Sequence, residues 1–335
     1  MMRLPKFEYH APKTLSEALR IMTDSGPDSM FVAGGTDLYP NMKRRQQTPH
    51  TVISVMRIRE LRECSVDAEG LRIGPGVTLT ALSTHPAITA NWPVIASAAK
   101  LISTPLLRNM GTIGGNLLLD TRCNYYDQNY EWRRGINFCM KKDGHICWVA
   151  PSSPKCWAVQ SSDLAPVMVA IGAKLLLLSS AGERWVDAAE LYNNDGINYL
   201  HKRPDELLTE IRVPQPGRWR AVYKKLRRRG AFDFPVLGVA AAVEGEKDGV
   251  VSQARIVLGG VAPAPIQVRD VESALVGSSF GDKQIDAAVE ACYQKARPLD
   301  NTDFSMTWRK QMVRPYVERA LKELSQVTAP NDHLP

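Results

Sequence analysis

Apolar and polar positions along this chain follow two periods, and the period switches several times. Leu15, Ala18, Leu19 and Met22 recur at helical spacing behind Thr14-Leu15-Ser16-Glu17, a capping box with Thr14 at N-cap and Glu17 at N3. Asp24-Ser25-Gly26-Pro27 stops that helix. Met30-Phe31-Val32 reads as a short buried strand that runs straight into Ala33-Gly34-Gly35-Thr36-Asp37. Val52-Ile53-Ser54-Val55 and Leu71-Arg72-Ile73 read as further strands. A short helix is expected over 79–84, stopping before Pro86, and another over 93–102 with Pro93 near its start. Residues 167–178 read as a helix followed by a buried strand at 174–178. Gly182 turns the chain back into Arg184-Trp185-Val186, and a strand over 207–213 ends at Pro214.

Past Pro214-Gln215-Pro216-Gly217, a linker by composition, the texture changes. Three consecutive strands are expected at 220–227, 236–244 and 250–258, with turns at 245–249 and 259–260. Helical patterns follow at 271–276, 282–296 and 307–324, the last kinked at Pro315, and 328–335 read as a frayed tail. Strands followed by helices point to a separate α+β domain. The expected division is therefore 1–216, in two lobes of about 1–55 and 56–216, and 217–330. One segment, 121–158, shows neither period and reads as a loop inserted into the first domain. A loop of that length without structure of its own calls for a function.

A chain of 335 residues is too long for one core. Met1-Met2-Arg3-Leu4-Pro5-Lys6 lacks the apolar stretch of a signal peptide. The longest apolar run, 167–178, is interrupted by Lys174 and is too short to span a bilayer. No membrane role is expected, and the cytoplasm is the expected location. Thiols stay reduced there, which changes the reading of the six cysteines. Cys64 and Cys292 are isolated and read as packing residues. Cys123, Cys139, Cys147 and Cys156 all lie in the inserted loop, where metal binding is a better use for them than disulfides. The net charge of +7 raises nucleic acid as a partner. The excess is scattered, however, and its one dense run, Lys224-Lys225-Leu226-Arg227-Arg228-Arg229, has no nucleic-acid motif beside it. A subunit interface, an acidic protein or an anionic ligand fits better.

Candidate chemistry begins at the glycines. Without a Cβ, Gly34 and Gly35 can take positive φ and let successive N–H groups form a nest for a phosphate. Gly111-Thr112-Ile113-Gly114-Gly115-Asn116 is a second such turn. Either alone reads first as a plain tight turn, and neither has the Walker A or Rossmann spacing. Together they suit the two phosphates of a dinucleotide. The cysteine gaps, C-x15-C-x7-C-x8-C, contain no zinc knuckle and no ferredoxin run. Spacing alone leaves iron–sulfur, zinc and unligated thiols open.

Four motifs in order carry a more specific resemblance: Ala33-Gly34-Gly35-Thr36-Asp37-Leu38, Thr112-Ile113-Gly114-Gly115-Asn116, Ser162-Asp163-Leu164-Ala165-Pro166, and Tyr223-Lys224 with the arginines after it. Residues 1 to about 325 resemble the FAD-binding medium subunit of the molybdenum hydroxylase family, to which xanthine oxidase and carbon monoxide dehydrogenase belong. The resemblance implies an α+β fold: a two-lobed FAD-binding domain and a C-terminal α+β flavoprotein domain with a three-stranded sheet and helices. It implies that Val32, Ala33, Gly34, Gly35, Thr36, Asp37 and Leu38, with Gly111, Thr112, Ile113, Gly114, Gly115 and Asn116, line the FAD pyrophosphate. They would do so largely through backbone N–H groups, with the side chains of Thr36, Thr112 and Asn116 added. Asp163 would accept from a sugar or ribityl hydroxyl, and Leu208 would pack near the isoalloxazine unless it serves only the core. Lys224 would stand near the flavin ring, where a cation stabilises reduced, anionic flavin. Its bland alternative is a solvated strand residue.

Most of that family pass from the second glycine turn to the Ser-Asp-Leu motif through a short link. Here residues 117–161 intervene and hold all four clustered cysteines. The insertion resembles the branch formed by the β subunits of 4-hydroxybenzoyl-CoA reductases, which implies a [4Fe-4S] cluster on Cys123, Cys139, Cys147 and Cys156. Partners implied are a large molybdopterin subunit and a small [2Fe-2S] subunit, as a dimer of heterotrimers, with ferredoxin as electron donor. Electrons would pass from ferredoxin by [4Fe-4S] and FAD toward [2Fe-2S] and molybdopterin, for reductive dehydroxylation of 4-hydroxybenzoyl-CoA in anaerobic aromatic degradation. No nucleophile–base constellation is visible, so substrate chemistry is expected on a partner. One alternative is the FAD subunit of an oxidative molybdenum hydroxylase passing electrons to NAD or a quinone. A remoter one is a zinc-stapled binding protein without flavin.

Overall fold

The computed structural model describes residues 3–245 and 250–328. Most of the turn expected at 245–249, and the tail expected beyond 328, lie outside the described residues. The sequence periods resolve into three sheets. The first is parallel: β1 (Glu8–His10), β2 (Ser29–Val32) and β3 (Thr51–Ser54), in the order β1-β3-β2. Helix α1 (Leu15–Ser25) crosses over between β1 and β2. Thr14 Oγ1 accepts from the Glu17 N–H at 3.2 Å as a capping box requires, but the Glu17 carboxylate returns to the N–H of Lys13, one residue further out. Ala18, Leu19 and Met22 bury against Ile53, Val55, Ile58 and Leu61. A one-turn helix, α2 (Leu38–Lys43), follows the first glycine turn and is not announced by any period.

The second sheet holds β4 (Cys64–Asp67), β5 (Gly70–Ile73), β6 (Lys174–Ser179), β7 (Gly182–Asp187) and β8 (Leu207–Pro214), all antiparallel, in the order β4-β5-β8-β6-β7. About a hundred residues between β5 and β6 supply the short helices at 79–84, 86–91 and 93–101, the second glycine turn and the cysteine segment. The third sheet holds β9 (Trp219–Leu226), β10 (Leu237–Gly245), β11 (Val251–Gly259) and β12 (Ile266–Gln267), in the order β12-β11-β10-β9. It has four strands where three were expected, because two residues after the Gly259-Gly260 turn return along β11.

This third sheet is buried on both faces. Val239, Ala241, Val243, Ile256 and Leu258 point at the C-terminal helices. Tyr223, Ala240, Ala242 and Val257 point into the core of the N-terminal part. Adjacent residues of β9 therefore serve different cores, since side chains alternate along a strand. The pattern expected as one helix at 307–324 is two, Met306–Gln311 and Val313–Thr328. Pro315 has no N–H, and its ring opposes the carbonyl four residues back, at Gln311. The break therefore falls at Met312, and Pro315 sits in the first turn of the next helix. The α+β class and the two-part flavoprotein architecture are as expected. No described helix is long and apolar enough to cross a membrane.

Candidate functional site

Val32 ends β2, and the chain turns at Ala33-Gly34-Gly35-Thr36-Asp37 to enter α2. Gly35 has φ +70°, open to glycine at little cost. Gly34 is required for space: a Cβ there would lie 1.7 Å from the Met110 carbonyl oxygen. Met110 and Gly111 begin the second glycine turn, so the two turns are in backbone contact rather than facing each other across a gap. Among the described residues, the N–H groups of Gly34, Gly35, Thr36 and Asp37 have no acceptor within the protein. Four free N–H groups at a glycine cradle, leading into a helix, suit an anionic ligand.

The second turn is different. Thr112 caps the short helix Ile113–Leu117, its Oγ1 accepting from Gly115 N–H at 3.1 Å. The N–H groups of Ile113, Gly114 and Asn116 go to Val77, Pro75 and Thr112 carbonyls. The N–H groups of residues 113–116 are therefore already used within the protein, unlike those of the first turn. Thr112 spends its hydroxyl on its own cap. Asn116 Oδ1 accepts from Ser162 Oγ at 2.8 Å and from Leu164 N–H at 3.1 Å, which ties this turn to the Ser162–Pro166 motif.

Asp163 is fully enclosed. One oxygen accepts from Tyr223 Oη at 2.9 Å and the other from Lys225 Nζ at 3.0 Å. Burial pushes the Asp163 carboxyl up and the Lys225 ammonium down, while each charge opposes the shift of the other. Lys224, expected beside the ring, lies on the opposite face of β9 and pairs with Glu323 of the last helix. Alternation is the reason: Tyr223 and Lys225 share parity, and Lys224 does not. The lysine that reaches the Ser-Asp-Leu motif is Lys225, and the parity of the buried Tyr223 was the available signal. Leu208 is 1% exposed and paired with Leu177 in the second sheet, within the core.

The four cysteines of the insertion are each 5–8% exposed. Cys123, Cys139 and Cys156 share one apolar cluster with Tyr126 and Ala158, and Cys147 is close enough to act electrostatically on Cys123 and Cys156. Burial pushes the Cys123 thiol up to about 12 and the Cys156 thiol up to about 11, and the neighbouring cysteines add to both shifts. Four thiolates so placed need a compensating cation. Among the described residues, no three His, Cys, Asp or Glu side chains close on one metal ion. The cysteines come together, but not as a mononuclear tetrahedral site.

The surroundings hold residues that sequence reasoning missed. Gly196 is pressed on Cys156, where a Cβ would lie 2.7 Å from its Sγ. Lys141 Nζ, nearly buried, donates to Asp120, Thr121 Oγ1 and the Gly196 carbonyl. Asn301, from the C-terminal part, accepts from Asn124 N–H and donates to the Trp157 carbonyl, so it fastens the residues that follow Cys123 and Cys156. The insertion is not wholly irregular, since Asn129 caps a short helix, Tyr130–Gly135.

The glycine cradle and the C-terminal sheet packed on the N-terminal core correspond to two known flavoprotein domains. Residues 5–216 match the model of the FAD binding domain in molybdopterin dehydrogenase. Residues 221–324 match that of the CO dehydrogenase flavoprotein C-terminal domain. The chain belongs to the FAD-binding medium subunits of the molybdenum hydroxylase family. It is 29% identical over 320 residues to the carbon monoxide dehydrogenase medium chain of Hydrogenophaga pseudoflava, covering 95% of this chain and 96% of that one. It is 28% identical to the alpha subunit of the 6-hydroxypseudooxynicotine dehydrogenase complex of Paenarthrobacter nicotinovorans, over 96% and 95% of the two chains. Among solved structures it superposes on carbon monoxide dehydrogenase from Hydrogenophaga pseudoflava with a TM-score of 0.80 at 28% identity, over 98% and 99% of the chains. Reconstituted CO dehydrogenase from Oligotropha carboxidovorans gives 0.81 at 26% identity, over 97% and 99%.

Proposed function

We propose that this chain is the electron-transfer flavoprotein subunit of a reductive molybdenum enzyme. In this reading it takes electrons from ferredoxin at a [4Fe-4S] centre and hands them by way of FAD toward [2Fe-2S] and molybdopterin subunits, which dehydroxylate 4-hydroxybenzoyl-CoA. Residues 1–216 form the FAD-binding part with the insertion 121–158, and 217–330 form the C-terminal part. The observation that carries the reading is the gathering of four buried cysteines in an insertion built directly onto the first glycine turn. When bound, FAD exchanges one or two electrons and an iron–sulfur centre passes them singly. The free N–H groups of Gly34–Asp37 take the pyrophosphate, and Asn116 holds the second turn against Ser162. Lys225, on the face of β9 that meets the Ser162–Pro166 motif, keeps a positive charge beside Asp163. Cys123, Cys139, Cys147 and Cys156 hold the cluster. A second reading, the flavin subunit of an oxidative hydroxylase in the cytoplasm, is favoured by the relatives named as dehydrogenases.

An absorption spectrum of anaerobically purified protein, with iron and acid-labile sulfide assayed on the same sample, separates the two. Flavin bands with a broad iron–sulfur shoulder and about four irons per chain support the relay. Loss of the shoulder with flavin retained in Cys139→Ser assigns the metal to this loop. Flavin without iron leaves the oxidative reading, and zinc without flavin removes both.

A further inference from the structure

The insertion could have hung from the fold by its two ends. Instead its first residues are built into the flavin turn, and one side chain reaches the turn itself. Arg122 immediately precedes Cys123. Its backbone exchanges two hydrogen bonds with Val159, at 2.8 and 2.7 Å, which closes the neck of the insertion. Its guanidinium reaches out of that neck in two directions. Nη2 pairs with Asp37 Oδ1 in the first glycine turn, and Nη1 bonds Asp127 Oδ2 at 2.8 Å inside the insertion. Phe234, from the loop after β9, lies 4.0 Å over the guanidinium and shields it. The Arg122 side chain is only 14% exposed, so these charges interact with little screening.

The outer ends of this chain of charges return to the same helix. Asp37 Oδ2 accepts from Asn41 in α2 at 2.9 Å, and Asp127 Oδ1 accepts from Arg44, the residue after α2, at 2.7 Å. Arg133 of the insertion donates to the Arg44 and Arg45 carbonyls, and Gln46 donates to the Tyr126 carbonyl. The glycine turn, α2 and the loop around Cys123 thus form one closed ring, in which Arg122 pairs with both Asp37 and Asp127.

We propose that Arg122 is a positioning residue that couples occupancy of the flavin site to occupancy of the cysteine site. The proposal rests on the two-cofactor reading above. A centre held by Cys123 and its three partners fixes the neck, and a fixed neck holds the guanidinium on Asp37. Asp37 is the last residue of the turn whose N–H groups are free, so the cradle is preorganised for a dinucleotide. Emptying the cysteines releases the neck and loosens the cradle. Coupling of this kind is reciprocal: FAD tightens the metal site by the same factor that the metal site tightens FAD.

The test uses the full chain and FAD itself as the probe. FAD affinity is measured by flavin fluorescence quenching on protein with the centre reconstituted and on protein stripped by anaerobic chelation. The same pair of measurements is made on Arg122→Gln and on Asp127→Asn, which removes the insertion-side charge that Arg122 and Arg44 share and leaves the residues of the glycine turn unchanged. In the wild type, stripping should weaken FAD binding by roughly 5- to 100-fold, the range of ordinary inter-site coupling. In both variants the ratio of the two affinities should fall to near one, whatever happens to the affinities themselves, and Arg122→Lys should restore part of the ratio. A ratio near one in the wild type, or a ratio as large in the variants as in the wild type, overturns the proposal. Iron is assayed throughout: wild-type chain that binds FAD but takes up no iron overturns the two-cofactor reading first, and a loaded chain without coupling overturns only the role of Arg122.

Discussion

Replacing Gly34 by alanine tests the contact between the two glycine turns. The new Cβ would stand 1.7 Å from the Met110 oxygen, 2.4 Å from its carbonyl carbon and 3.1 Å from Gly111 N. Even a close C···O approach needs about 3.3 Å, so the turns must part by roughly 1.6 Å. No flexible side chain can absorb this, because every atom met is backbone. That backbone is anchored: Gly111 N–H bonds the Leu107 carbonyl, and Leu79 N–H bonds the Gly111 carbonyl, both at 2.8 Å. Overpacking of this sort costs about 1–3 kcal/mol, and a rigid neighbour puts it at the upper end. Parting the turns also displaces the free N–H groups of the cradle. FAD affinity should therefore fall at least about tenfold, equivalent to ~1.4 kcal/mol. Thermal unfolding of flavin-free protein measures the first effect, and flavin fluorescence titration measures the second. Gly135→Ala is the control, since an added methyl there meets nothing within 4 Å. A Gly34→Ala protein that melts and binds FAD like Gly135→Ala would refute the reasoning.

Three further outcomes are expected. Gly196→Ala brings a methyl to 2.7 Å from Cys156 Sγ and 2.8 Å from Ala158 N, so it should lower iron content; full iron loading counts against the cysteine assignment. Lys225→Met strips the partner from a buried Asp163 and should cost about 3–5 kcal/mol in urea unfolding. Lys224→Met breaks a half-exposed pair with Glu323 and should cost under about 1 kcal/mol. Equal costs, or the reverse order, would show that the two faces of β9 are wrongly assigned.

Much of this protein was legible in its order of residues. The Thr14 cap, the strand into Gly34-Gly35, the helix at 93–101 and the strands β9–β11 follow from local propensity and period, and local rules act on residues close in sequence. The four cysteines were legible as a concentration of one residue type in a segment without period, and the fold gathers them. What stayed hidden was every feature that depends on residues far apart. Nothing near Gly34 says that Met110 occupies the place of its missing Cβ. Nothing near Cys156 announces Gly196, and nothing near Arg122 announces Asp37. The choice between Lys224 and Lys225 turned on which face of β9 the N-terminal core covers, and a one-residue shift reverses it. Sequence by itself determined which elements form and which groups are available. Tertiary structure decided which of those groups meet, because contact across the fold is set by packing two buried faces at once, and no local signal encodes the second face.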